Sequence, residues 1–320
     1  MVAVSYLTAA AALVAAAVLA VERADAAFVN CPTAPAKPED RRLDKTKLKY
    51  TTYNAEFMFV NDYASSLACP GADCKWTTVD AARQHIKKVA QNIKTMDSDI
   101  VQLNEVGDCF ALQALIAEIA ALGDSTYKPY LVRGTDTATG QNSALITRVD
   151  PIVDLKRTEA TAAIPVSNST CPTASGISSK KGVSKHFYTT FNVSGFSKPI
   201  SVVGAHLLAN PQNAQRCFDR EAQATVLAGL ASTELLNDRH VILSGDLNDF
   251  SKVYPDRNSN KPISNVLGIL ASTTMTEVSG LLPQSERYSE WWDQNEDCQF
   301  VDTEVSILDH ILVSNSLVGQ

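Results

Sequence analysis

Four short polar clusters follow apolar runs in this chain: Tyr53-Asn54, Leu103-Asn104-Glu105, Ala205-His206 and Ser244-Gly245-Asp246-Leu247-Asn248. A fifth, Leu308-Asp309-His310, lies inside a late apolar segment. Carboxylates and amides offer the oxygen donors that a hard divalent cation requires, and an Asp or His can orient or move a proton at a reacting water. Singly, each cluster has an ordinary explanation. Asn54 suits a turn, Glu105 suits a solvated acid at the start of a helix, and His206 suits a satisfied core or surface histidine. Gly245–Asp249 has the composition of a turn after a strand. Their common position is what distinguishes them, because strand ends are where side chains from distant segments converge.

The elements that must position these residues can be read from periodicity. Tyr50–Tyr53 is strand-like and leads into Asn54, and Ile100–Leu103 leads into Asn104-Glu105. Between them Val79, Ala82, Ile86, Val89 and Ile93 recur at helical spacing over 78–95, with Thr77 or Thr78 as the cap. A second helix over 109–122 aligns Leu112, Leu115, Ile116, Ile119 and Leu122. Strand-like segments follow at Tyr130–Arg133, Ser143–Thr147, His186–Val193 and Ile200–Ala205, the last ending at His206. A helix over 213–236 precedes the strand His240–Leu243 and the turn Ser244–Phe250, and Ser306–Val313 is again strand-like. The Ser-, Thr-, Ala- and Gly-rich stretch 158–185 reads as an exposed loop, and the proline-bearing stretch 28–48 as a linker or surface arm. The alternation argues for one α/β or α+β domain.

Composition narrows the partners. The chain has 320 residues, 45% hydrophobic and 20% charged, which is ordinary globular usage and excludes a fibrous or mostly disordered protein. With 28 Lys+Arg against 35 Asp+Glu the net charge is −7. Such a chain does not hold a polyanion by bulk charge, so a phosphate-bearing substrate calls for a bound cation. Met1–Ala20 contains no charged side chain, and Ala24-Asp25-Ala26 follows, so residues 1–26 are expected to be a signal peptide cleaved after Ala26. A membrane anchor is the competing reading, since the run approaches the ~17–18 residues needed to span. Seven cysteines stand at 31, 69, 74, 109, 171, 217 and 298, with no C-x-x-C pair. Cys69 and Cys74 bracket a loop of turn formers that could close by a disulfide, and Asn168 and Asn192 begin N-x-S/T sequons. A secreted, disulfide-bonded glycoprotein is the expectation, with one thiol left unpaired or its partner missing.

Taken in order, Tyr53-Asn54, the D-I-V-x-L-x-E run Asp99–Glu105, Gly204–Leu207, the G-D-x-N turn Gly245–Asn248 and Leu308–Leu312 resemble the endonuclease/exonuclease/phosphatase family. The resemblance covers roughly residues 49–318. It implies an α+β fold for 49–320, a four-layer α/β/β/α sandwich with two packed mixed sheets, and phosphoester cleavage dependent on Mg²⁺ or Mn²⁺. It implies that Glu105 binds the metal, with Asn54 beside it holding the metal or a phosphate oxygen. Asp246 would orient or deprotonate the attacking water, and Asn248 would donate a hydrogen bond to the developing phosphorane. His206 would contact the phosphate or assist the leaving group.

The family closes on an S-D-H-x-P segment, whereas this sequence stops at Gln320. Asp309-His310, followed by Ile311–Ser314, matches the preceding motif, in which the Asp orients the later histidine. The expectation is therefore a C-terminally incomplete domain lacking that histidine and the last strand, in which His310 faces away from Asp309 as a packing or hydrogen-bonding residue. Tyr288–Trp292 before Leu308–Ser314 is similar to secreted nucleases, which favours DNA or RNA as substrate; separately, a monomer with no stable protein partner is expected. A sphingomyelinase-like enzyme acting on a lipid headgroup is the alternative, with Trp291 and Trp292 either touching membrane or packing within their loop. A binding-only relative without turnover is the other.

Overall fold

A computed structural model describes residues 28–60, 69, 74–172 and 178–318. The expected signal peptide and its cleavage point lie outside the described residues, as do residues 70–73 between Cys69 and Cys74.

Two mixed sheets form the centre. The first runs in the order β1 (Tyr50–Met58), β2 (Ile100–Val106), β4 (Asn142–Thr147), β3 (Lys128–Leu131). Two short strands, β5 (Ala162–Ile164) and β6 (Ser179–Lys181), form a hairpin outside it. The second sheet contains β7 (Lys185–Phe191), β8 (Ile200–His206), β9 (His240–Asp246), β10 (Met275–Glu277) and β13 (Asp309–Ser314), in the order β10-β13-β9-β8-β7. A further hairpin pairs β11 (Glu290–Trp291) with β12 (Val305–Ser306).

Strand alternation decides which side chains meet. Ile100, Tyr130 and Leu145 of the first sheet pack against Phe187, Phe191, Ile200, Val202 and Ile242 of the second, forming the layer between them. The opposite face of the first sheet, with Val101, Leu103 and Ile146, is covered by α1 (Val79–Met96) and α2 (Cys109–Ala121). The outer face of the second, with Val203, Ala205 and Leu243, is covered by α3 (Ala214–Leu236) and α4 (Val266–Ala271). The result is the α/β/β/α sandwich. Thr78 caps α1, its hydroxyl accepting from Ala81 N at 3.1 Å.

Several elements differ from the sequence expectation. The stretch 158–185 is not wholly an exposed loop: it holds the β5–β6 hairpin, packed on α3 and tied to it by the Cys171–Cys217 disulfide. Glu105 does not cap the second helix. Asp108 does, its Oδ1 accepting from Phe110 N and Ala111 N at 3.0 and 3.2 Å. The late strand is split at Ile307-Leu308 into β12 and β13, which pair with different partners. Sequence periodicity also passed over α4 and β10, both too short to show a repeat.

Residues 28–48 lie against the sandwich. Cys31 is disulfide-bonded to Cys109, and Val29 N donates to Asp108 Oδ2 at 3.1 Å. Arg41 forms a two-point ion pair with Asp150, at 2.6 and 2.7 Å. A third disulfide joins Cys69 and Cys74, while Cys298 is free and exposed. Among the described residues no helix is long and apolar enough to cross a membrane.

Candidate active site

The hydrogen-bond registers gather the polar clusters at one end of the sandwich. In the first sheet, parallel pairing places Asn54 opposite Asn104. In the second, Lys185 pairs with His206, His206 with Asp246, and Asp246 with Asp309, so four ionisable side chains stand in one row across four strands. The row sits where β8 and β9 end, the position at which layered folds assemble sites.

Local backbone geometry turns the side chains inward. Glu105 follows Asn104 and by simple alternation would face away from it. Its φ of 63° breaks that alternation, a conformation that costs a non-glycine residue roughly 1–3 kcal/mol and is held only by its surroundings. Gly245 has φ 139°, and a Cβ there would lie 1.8 Å from the Ala205 carbonyl oxygen, so only glycine fits before Asp246. Asn248 takes φ 49°, and its N–H donates to Asp246 Oδ1 at 3.0 Å, closing a tight turn. That turn, rather than strand alternation, keeps Asn248 beside Asp246.

Asn54 joins the two sheets. Its Nδ2 donates to Glu105 Oε1 at 3.1 Å and to Asp246 Oδ2 at 3.0 Å, while its Oδ1 accepts from Glu56 N at 3.0 Å. Glu105 Oε2 accepts from Phe57 N at 2.9 Å and from Gln141 Nε2 at 2.8 Å. His206 is buried, with Nε2 3.6 Å from Asp246 Oδ2 and Nδ1 without a hydrogen-bond partner among the described residues. Ligand-type atoms of Glu105, His206 and Asp246 all lie within 4.8 Å of one another. Asn248 is also buried, and among the described residues its Nδ2 holds only a long 3.4 Å contact to the Leu207 carbonyl. Asp309 Oδ1 is buried and unpartnered among the described residues.

The electrostatics follow from this crowding. Burial raises the Asp246 carboxyl well above its usual range, reinforced by the charges of Asp309 and Glu105. Burial likewise raises Glu105 and pushes Asp309 up to about 7, with Glu290 adding negative charge at Asp309. His206 is held well below its usual value by burial and by the Lys185 charge, so it is neutral near pH 7. The oxygen donors and the raised carboxyls together fit a hard divalent cation, which would relieve their mutual repulsion.

Two residues of this centre were not foreseen from sequence. Lys185 lies on β7, its Nζ donating to Gln141 Oε1 at 3.3 Å, and burial lowers its pKa. Gln141 in turn bonds Glu105. Neither belongs to a polar cluster, and only the β7–β8 register brings Lys185 beside His206. His310, by contrast, is placed as strand alternation requires. It faces away from Asp309, with Nε2 2.9 Å from the Asp249 carbonyl and Nδ1 3.3 Å from Glu277 Oε1.

The chain has the four-layer α/β/β/α sandwich fold expected from its sequence. Among solved structures, a conserved protein of unknown function from Enterococcus faecalis V583 is similar, with 17% identity and a TM-score of 0.50, over 83% of this chain and 87% of that one. An endonuclease/exonuclease/phosphatase family protein from Bacteroides thetaiotaomicron is 15% identical with a TM-score of 0.49, over 88% of this chain and 85% of its own. The mannosyl-6-phosphatase Bt3783 of Bacteroides thetaiotaomicron VPI-5482 is 15% identical with a TM-score of 0.49, over 84% and 86% respectively. At 17% identity the first of these likenesses concerns the fold alone. No family model matches the chain, and no curated protein matches it.

Proposed function

We propose that this protein is a secreted, divalent-metal-dependent phosphodiester hydrolase that acts on nucleic acid. One observation carries the reading: the Asn54 amide bridges Glu105 and Asp246 from opposite sheets, beside a neutral buried His206.

In this reading Glu105 holds Mg²⁺ or Mn²⁺ with Asn54 beside it, and the cation supplies neutralisation of charge on the phosphate oxygens. The chain's own groups do the rest. Asp246 orients the attacking water or takes its proton. Asn248 has a loosely engaged amide N–H available for a phosphate oxygen, and His206 Nδ1 has a free valence for the phosphate or the leaving group. Asp309 keeps an open carboxylate oxygen beside Asp246 with which to orient a basic group. Lys185 adds positive charge for a phosphate at this end of the sandwich.

Three disulfides support an oxidising compartment. Asn168 and Asn192 are exposed, as glycan acceptors must be. Trp291 and Trp292 are partly exposed, with Phe300 against the first and Lys75 over the ring of the second; their open area suits stacking of bases and equally a second reading, a lipid phosphodiesterase of sphingomyelinase type. The test is an assay of the purified chain, with Mg²⁺ and then with EDTA, on DNA, RNA and sphingomyelin. Metal-dependent cleavage of DNA or RNA that disappears in Glu105→Gln supports the proposal. Hydrolysis of sphingomyelin alone would select the lipid reading, and binding without turnover would leave a non-catalytic relative.

A further inference from the structure

The first strand is irregular at its site end. β1 pairs with β2 in register up to Asn54 opposite Asn104, and again at Met58 opposite Val106. Ala55, Glu56 and Phe57 of β1 therefore lie across from a single residue of β2, Glu105. Glu56 and Phe57 both take the left-handed conformation, with φ 44° and 49°. Two successive residues other than glycine keep that conformation only where their surroundings impose it. The bulge turns backbone donors onto the site. Glu56 N donates to Asn54 Oδ1 at 3.0 Å, and Phe57 N donates to Glu105 Oε2 at 2.9 Å. The first bond fixes the Asn54 amide with Nδ2 toward Glu105 and Asp246, and the second holds one oxygen of Glu105. In a regular strand successive N–H groups point to opposite sides, so the two could not serve both side chains.

What imposes the bulge comes from outside the sheet. His85, on α1, donates from Nε2 to the Ala55 carbonyl at 2.7 Å, and Trp76, just before α1, donates from Nε1 to the Glu56 carbonyl at 2.9 Å. A carbonyl can only accept, so His85 carries a proton on Nε2. The two rings are stacked, with centroids 4.0 Å apart and planes 13° from parallel. Each ring thus steadies the other, and two successive carbonyls of the bulge are held by one stacked pair. His85 is buried and Trp76 half-buried.

We propose that Trp76 and His85 are positioning residues for the metal-binding side of the site: the stacked pair holds Ala55–Phe57 in the bulge that sets the Asn54 amide and the Glu105 carboxylate. The inference rests on the reading of Glu105 as a metal ligand. Groups that orient metal-binding side chains typically contribute roughly 10–100-fold to metal affinity, and here the orienting N–H groups of Glu56 and Phe57 are themselves placed by the two rings.

The test is Mn²⁺ binding to the full chain, followed through the EPR signal of the free ion, which reads the site without turnover. Trp76→Phe keeps a ring on His85 and removes the N–H, so it should weaken the tightest Mn²⁺ site by roughly tenfold. His85→Leu should do the same, while His85→Gln, whose amide can donate from the place of Nε2, should bind Mn²⁺ like the unaltered chain. Melts in EDTA accompany each titration, because a merely structural role would lower the melting temperature and leave the Mn²⁺ affinity of the folded protein where it was. Should His85→Leu fail to fold, Trp76→Phe, at a half-buried position, carries the test. Unaltered affinity in Trp76→Phe, with affinity lost in Glu105→Gln, would overturn this proposal alone, as would His85→Gln binding as poorly as His85→Leu. Undiminished Mn²⁺ binding in Glu105→Gln would overturn the reading of Glu105 and this proposal with it.

Discussion

Asp246 and Asp309 face one another across the ladder between β9 and β13, two carboxylates in adjacent strands beside a third, Glu105, brought in from the other sheet. Like charges this close raise one another's pKa, and burial raises them further. A bound cation or proton would relieve that repulsion.

Glu105→Gln should therefore separate function from stability. The raised carboxyl gains little from its charge in the folded protein, and the amide can keep the contacts to Phe57 N and Gln141. Metal-dependent hydrolysis should fall by roughly 100-fold or more, with the melting temperature unchanged or slightly higher. Retained turnover would remove Glu105 from metal binding.

Asp246→Asn should leave nucleic-acid binding intact and abolish turnover. The amide can still accept from Asn248 N, so the turn survives, but it cannot take a proton from water. Single-turnover kinetics beside a filter-binding measurement would check this. A normal rate would sink the assignment.

Stability without divalent cation should fall as pH rises from about 4 to about 7. Asp309 titrates near 7 in the folded protein and near 3.9 when unfolded, so between those values the folded state holds the extra proton. A raised carboxyl contributes stability below its unfolded pKa and loses it as pH climbs through the folded one. Saturating Mg²⁺ should flatten the slope. Thermal melts at several pH values, with EDTA and with Mg²⁺, would reveal it; a rise in stability over this window would contradict the placement of the three carboxylates.

Replacing Cys31 and Cys109 together by Ser should lower the melting temperature. The bond spans 78 residues, and closing such a loop removes about 4 kcal/mol of chain entropy from the unfolded state. A loss on the order of 10 °C is expected for a domain of this size. Calorimetry of the double variant would decide; an unchanged melt would mean that residues 28–48 add no restraint.

Much of this was legible in the residues. The helical stripe from Val79 to Ile93, the strand ends at Asn104 and His206 and the turn Gly245–Asn248 followed from periodicity and turn chemistry. His310 was placed by strand alternation alone. What stayed hidden depended on pairing between distant segments. Lys185 reaches the centre through its register with His206, and Glu105 enters through a positive φ that no spacing rule gives. The β5–β6 hairpin, with three residues in each strand, is too short to show a period, and it is held by Cys171–Cys217 and α3.

The first sheet is complete by Thr147 and the second begins at Lys185, so the polypeptide passes from one to the other a single time. Asn54 and Glu105 are made on one side of that crossing, and His206, Asp246 and Asp309 on the other. A ribosome midway through the chain has built half of the proposed site and none of the other half. Cutting the chain at the crossing would give two inert fragments, and any recovered activity would count the pairs that had found each other.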